Sequence, residues 1–415
     1  MKRPGSYPVF LLLEGATSLL FSMIFAASSI YQVTTAHLNP LQLVLVGTVL
    51  EASVFLFEIP TGIVADVYSR RLSIIIGYSL IGLGFLLEGS IPLFLPILLA
   101  QVLWGVGYTF TSGAKQAWIT DEIGEIAANR AFLRSNQISQ ASALAGLGAG
   151  AVVGSLRINL PIQLGGILLL ALTGLMIFIM PETGFHPTPR GERNSWQSMA
   201  YTFRAGLDML RKRPALMDIL VIGLFYGLYS EGFDRLWTKL IIDHFTFPSI
   251  LNLQPIAWLS IMRASGMLMS IGVSEVVLRR VDTASHSKTA RALRSITIVL
   301  IASLVGFALA PELAWVVLAY LIIYVTRNII EPLYTAWVNQ SLDSQVRATV
   351  LSMGSQVDAI GQVLGGPVVG LIGNLFSVRI AIIVSGITLT PILPLFTRTI
   401  RQEAAQAVLK STPEN

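Results

Sequence analysis

SQASALAGLGAGAVVG (residues 139–154) returns as SQVDAIGQVLGGPVVG (residues 355–370), 216 positions later. Ser-Gln opens both stretches, Ala143 falls on Ala359, Gly150 on Gly366, and Val152-Val153-Gly154 on Val368-Val369-Gly370. Both are largely apolar with glycines at helical spacing, so the element the first copy forms, the second forms again. A shorter echo, AWITDEI at 117–123 and AWVNQSL at 336–342, repeats with a slightly different offset, and Asp66 falls on Asp282. The chain reads as two copies of one plan.

Composition says what each copy builds. Of the 415 residues 53% are hydrophobic and only 12% charged, against about 25% charged in a soluble domain, and the mean hydropathy is +0.70. Twelve apolar stretches recur: 7–32, 41–64, 72–89, 93–117, 132–155, 159–181, 215–241, 255–278, 293–310, 312–336, 348–373 and 378–397. Each is long enough to cross roughly 30 Å of hydrocarbon as a helix. Backbone groups find no partner in lipid, so these are helices rather than open strands. The expectation is an all-α membrane protein of twelve transmembrane helices in two pseudo-symmetric six-helix bundles: 1–182, a cytoplasmic linker at 183–214, and 215–415 with a cytoplasmic tail. Within the linker Trp196, Met199, Phe203 and Leu207 lie at helical spacing, as in an interfacial helix.

The net charge of +5 suggests nucleic acid until the basic residues are placed. With the N-terminus inside, most of them, including Arg70, Arg71, Arg130, Arg134, Arg190, Arg211, Arg279, Arg280, Arg347 and Arg398, fall at one face. That bias puts both termini in the cytosol of a multi-pass protein of the cell's inner (plasma) membrane and argues against a nucleic-acid partner. Lys2-Arg3 before an apolar run imitates a signal peptide, but Glu14 interrupts the run and eleven further spans follow, so it is read as an uncleaved first helix. There is no cysteine, hence no disulfide.

Between the second and third spans runs EIPTGIVADVYSRRLSIIIG (58–77), with Gly62, Asp66, Arg70 and Arg71. The chain here resembles the major facilitator superfamily over its whole length, whose loop motif is Gly-x-x-x-Asp-Arg-x-Gly-Arg-Arg/Lys, with Val67 replacing the first arginine and Ser69 the second glycine. Within it the chain is most similar to the drug:proton antiporters of the tetracycline- and macrolide-efflux-like branch. Their fifth-helix motif is matched by Gly146, Gly150 and Gly154, and the second copy keeps Gly366, Pro367 and Gly370; the fourth-helix motif survives as Gln101, Gly105 and Gly107 without its arginine. The resemblance implies two bundles around a central cavity, rocking between inward- and outward-open states, with Asp66, Arg70 and Arg71 as a cytoplasmic latch. The glycines also suit plain helix packing, since small residues four apart let backbones approach.

Ionisable residues inside spans carry most of the functional information: Glu14, Glu51, Glu58, Glu231, Asp234, Arg235, Arg263, Arg327, Glu331 and Asp358. Each costs about 2.5–3.5 kcal/mol near mid-bilayer if it faces lipid, so they face water or one another. Glu231 with Arg235, and Arg327 with Glu331, are i, i+4 and read as structural ion pairs. Glu51, Glu14 and Asp358 are read as proton-coupling carboxylates: Glu51 and Glu14 because no base stands nearby in sequence, Asp358 with Arg263 or Arg327 as a neutralising partner. A hydrogen-bonded structural acid is the alternative for each. Gln101, Trp104 and Tyr108 on one helix, and Tyr226 and Tyr229 on another, form polar-aromatic stripes that, with Arg263 and Arg327, are taken to line a substrate cavity; core packing explains such stripes equally.

No metal-ligand spacing and no phosphate-cradling loop is present, so no cofactor, no metal and no enzyme activity are expected. The function expected is secondary active transport: efflux of an amphiphilic small molecule in exchange for protons, by a monomer in the lipid bilayer. An importer or lipid transporter of the same fold is the nearest alternative, and a non-transporting receptor or scaffold the alternative of another class.

Overall fold

The computed structural model describes residues 5–187, 214–249, 252–281, 285–340, 344–398 and 400–401. Among these there is no strand. The helices are α1 (Ser6–Thr34), α2 (Pro40–Val67), α3 (Arg70–Ser90), α4 (Phe94–Thr111), α5 (Ala114–Ile123), α6 (Glu125–Leu156) and α7 (Leu160–Ile179), then α8 (Pro214–His244), α9 (Pro255–Arg280), α10 (His286–Leu309), α11 (Leu313–Gln340), α12 (Ser344–Leu375) and α13 (Val378–Thr388). The expected interfacial helix around 196–209 and Asp282 lie outside the described residues.

All twelve expected spans are helical. Four of the starts are written in short polar residues: Asn39 and Gln42 form a reciprocal capping box before α2, and Ser69, Ser285 and Ser377 each accept from a first-turn amide of α3, α10 and α13. Two spans are broken: the twelfth, where α13 ends at Thr388 and helix resumes at 392 after a turn at 389–391, and the fourth. Gly113, with φ 72°, breaks the fourth into α4 and α5, and Gly124, with φ 78°, separates α5 from α6. Such φ values are accessible to glycine without the clash a Cβ would bring. The fifth span begins at 125 rather than 132, extended by about two turns of mixed polarity that hydropathy could not register.

Among the described residues ten of the spans are long and apolar enough to cross a membrane by composition alone. Large apolar side chains also cover the outer surfaces: Leu95 and Phe178 are each 74% exposed. Soluble proteins rarely show such contiguous patches, and in a multi-pass membrane protein they face lipid.

The chain divides into two compact units, Met1–Ser195 with Pro248–Ile261, and Trp196–Phe247 with Met262–Asn415. In the first, α1 packs on α6 and α7, α3 on α4 and α7, and α2 on α4. In the second, α8 packs on α12 and α13, and α10 on α11 and α13, four of those five pairings one repeat later. A Cβ at Gly146 or Gly150 of α6 would run into the carbonyls of Leu19 or Met23 of α1; one at Gly361 or Gly365 of α12 would run into those of Leu224 or Leu228 of α8. The packing equivalence is therefore Gly146 with Gly361 and Gly150 with Gly365, one position off the match the sequences suggest. Gly366 and Gly370 are buried elsewhere on α12, with Pro367 half-buried between them, and Gly154 sits beside Pro161.

Candidate substrate cavity and coupling residues

Within the second unit α8, α9, α11 and α12 enclose a cavity of about 710 Å³. Tyr226, Tyr229, Phe233 and Trp237 recur along one face of α8, so a single helical stripe supplies its aromatic wall. Tyr320, Tyr324 and Tyr334 of α11 close the opposite side, with Tyr226 and Tyr334 ring to ring at 5.9 Å and Trp237 and Tyr320 at 4.8 Å. Arg263 lies 5.1 Å over the Trp237 ring, and Arg327 5.7 Å over Tyr229. The wall is thus aromatic and cation-bearing at once.

The charges pair differently from the sequence expectation. Arg327 does not bridge to Glu331 one turn away; both its terminal nitrogens reach Asp234 of α8, Nη2 to Oδ2 at 2.7 Å. A fork-on-fork contact across two helices satisfies a guanidinium better than one oxygen along its own helix. Glu231 does pair with Arg235, at 3.2 Å, with the glutamate only 4% exposed. Asp358 lines the cavity and accepts from Gln362 Nε2 at 2.7 Å; Glu331 lines it too, and among the described residues makes no hydrogen bond or ion pair. With Arg327 engaged by Asp234, Asp358 and Glu331 leave the cavity an acidic side.

Of the expected cavity residues, Tyr226, Tyr229, Arg263 and Arg327 line this space. Gln101, Trp104 and Tyr108 do not: they belong to the first unit. Gln101 is buried and donates to Glu88 at 3.1 Å. Trp104 sits in a cluster with Phe25 and Phe85, and Tyr108 is 49% exposed. Their spacing is that of a helix face, and a face shows only what its neighbours allow.

Glu14 also needs correction, because it has a base: Lys115 Nζ stands 2.7 Å from its carboxylate, both side chains half-buried, beside the Tyr78 ring at 6.0 Å. The partner lies on α5, a hundred residues away, where sequence proximity cannot reveal it. Glu51 is half-buried on α2 and Glu58 exposed. Sequence reasoning passed over Glu88 altogether. It is 1% exposed near the end of α3 and accepts from Ser28 at 2.7 Å, Gln32 at 2.9 Å and Gln101 at 3.1 Å, while Tyr31 binds its carbonyl. The available signal was the polar Ser28 and Gln32, four apart on an otherwise apolar helix.

The loop motif is tied within its own unit. Arg70 pairs with Asp121 at the end of α5, and Arg71 donates to the Ile177 carbonyl. Glu182 accepts from the Arg71 amide at 2.9 Å and from Ser69 Oγ at 2.7 Å, which fixes the start of α3. Asp66 and Gly62 are half-buried on the last turns of α2, Asp66 forming no hydrogen bond or ion pair among the described residues.

A family model described as the Major Facilitator Superfamily matches residues 10–365. The Uncharacterized MFS-type transporter YxaM of Bacillus subtilis (strain 168) is 23% identical over 416 residues, which cover 94% of this chain and 94% of that protein. Among solved structures, the nucleoside transporter NupG superposes with a TM-score of 0.73 at 13% identity, over 95% of this chain and 99% of that one. A bacterial homologue of the human lysosomal transporter Spinster, inward-facing and occupied, gives 0.73 at 12% identity over 97% and 98%. At such identities the likeness to solved structures is one of fold.

Proposed function

The chain belongs to the Major Facilitator Superfamily and is a membrane transporter, and from that premise we propose that it exports amphiphilic small molecules in exchange for protons. The observation that carries the reading is the 710 Å³ cavity in which Asp358 and Glu331 share a wall with tyrosine and tryptophan faces. An apolar, flat solute gains from the rings, and a carboxylate that gives up or takes a proton changes what the wall attracts. In this cycle Asp358 releases its proton to bind substrate and regains it to let substrate go. Glu14 and Glu51 are the further proton-coupling groups, and Asp66, with Arg70 and Arg71 holding the loop in place, serves as the inner-face latch. The protein works as a monomer in the plasma membrane with both termini in the cytosol, which the distribution of arginines supports.

Purified protein in liposomes bearing an imposed proton gradient, offered a panel of amphiphilic dyes, provides the test. Gradient-dependent dye flux in the native chain and its loss in Asp358→Asn are expected. Flux indifferent to the gradient would remove proton coupling, and uptake along the gradient rather than against it would reverse the assigned direction.

A further inference from the structure

The first unit answers the arginines at one of its corners with its own carboxylates. Ser69 caps α3 there, and Glu182 accepts from the serine hydroxyl at 2.7 Å and from the Arg71 amide at 2.9 Å, while Arg70 pairs with Asp121. Trp118 marks the same corner, its Nε1 donating to the Pro181 carbonyl at 2.8 Å, one residue before Glu182.

The copy of this corner in the second unit lacks those acids. Ser285 caps α10, 216 positions after Ser69. In the echo of AWITDEI by AWVNQSL, Asp121 becomes Gln340 and Glu122 becomes Ser341. Trp337, the counterpart of Trp118, packs on Phe396 at 5.5 Å, and the residues that follow are Thr397 and Arg398 where the first unit has Glu182. Arg294 of α10 donates to Thr397 Oγ1 at 3.2 Å, and Arg398 reaches Asp218 of α8 at 3.7 Å. Arg291 and Arg401 are exposed and make no hydrogen bond or ion pair among the described residues.

The contact of Arg294 with Thr397 fixes how the two helices face each other. Beside it, Arg291, Ser295 and Ile298 are exposed on α10, and Pro394, Arg398 and Arg401 are exposed on the helical stretch from 392. Three- and four-residue steps make each set one stripe of its helix. Spans nine and twelve run in opposite directions, which turns both stripes to the same side of the seam. The groove between them is lined by guanidinium groups at its end and by apolar side chains, Ile298 and Pro394, further in. A charged end and an apolar wall fit the two parts of a phospholipid.

We infer that this groove binds an anionic phospholipid of the adjoining leaflet. Its phosphodiester takes the place that Glu182 fills in the first unit, among Arg291, Arg398 and Arg401, and its acyl chains lie along Ile298 and Pro394.

Because the chain has no cysteine, Ser295→Cys in the groove can carry a fluorophore on the full-length protein in phosphatidylcholine liposomes. Phosphatidylglycerol with a spin-labelled acyl chain is expected to quench it at a mole fraction about tenfold lower than phosphatidylcholine labelled in the same way. Phe178→Cys on α7, exposed in the unit that supplies its own acids, should be quenched alike by both lipids. Arg291→Gln with Arg401→Gln should abolish the preference. Arg130→Gln with Arg134→Gln, which removes two exposed arginines from α6, should leave it intact. Equal quenching at Ser295→Cys, an equal preference at Phe178→Cys, or a preference that the α6 pair removes as fully as the groove pair overturns the site. Loss of the preference on adding inorganic phosphate would assign the groove to a soluble anion and overturn the lipid.

Discussion

Glu88 gathers three side-chain donors in a place with almost no solvent. Removing the acceptor leaves those donors facing carbon, and an unpaired buried donor costs about 1–3 kcal/mol. Glu88→Ala should therefore lower the melting temperature in detergent more than Glu88→Gln, which keeps an acceptor oxygen; equal melting of the two would mean that the cage contributes nothing. The Asp234–Arg327 pair is more open, with side chains 40% and 29% exposed, so screening limits its worth. A double-mutant cycle of Asp234→Asn and Arg327→Gln, read from denaturation midpoints, is expected to give a coupling of about 1 kcal/mol or less. These partners were not legible in the sequence. Spacing along one helix identifies i, i+4 neighbours such as Glu231 and Arg235, whereas Lys115 for Glu14 and Asp234 for Arg327 arrive from other helices, and no periodicity encodes that.

Elements were far more legible, because a crossing of hydrocarbon demands a long apolar run and the chain has twelve. The break at Gly113 is invisible in the sequence for the same reason: one glycine leaves hydropathy unchanged, and only its φ reveals the turn. No atom lies within 4 Å of where a Cβ on Gly113 would be, so its requirement is conformational, whereas Gly150 would drive a Cβ to 2.7 Å from Ala26. Gly113→Ala should cost about 1–2 kcal/mol of stability through backbone strain, and Gly150→Ala about 1–3 kcal/mol through overpacking of the α1–α6 seam. Gly148→Ala, helical and with open space around it, is the control expected to melt no lower than the native protein, since alanine is the better helix former. If the three variants melt alike, neither the turn nor the seam is as described.

At the level of the molecule the repeat was legible but its register was not. Sequence identity aligned Gly150 with Gly366, while the seams align it with Gly365, since a helix needs a small residue wherever the neighbouring backbone arrives and identity records only where letters coincide. The membrane topology is testable on the same cysteine-free background. In intact cells an impermeant thiol reagent should block His37→Cys, in the loop after the first span, and leave Ser69→Cys untouched; the opposite pattern would invert the orientation.

The seams have one more consequence. Where carbonyls of α1 and α8 lie against bare α-carbons of their partners, the two helices of each couple have no cushion of side chains through which to slide. Each couple is in effect a single stiff beam, and any change of shape this protein undergoes must be taken up at the joints between beams, where a lipid or a solute can lean on it.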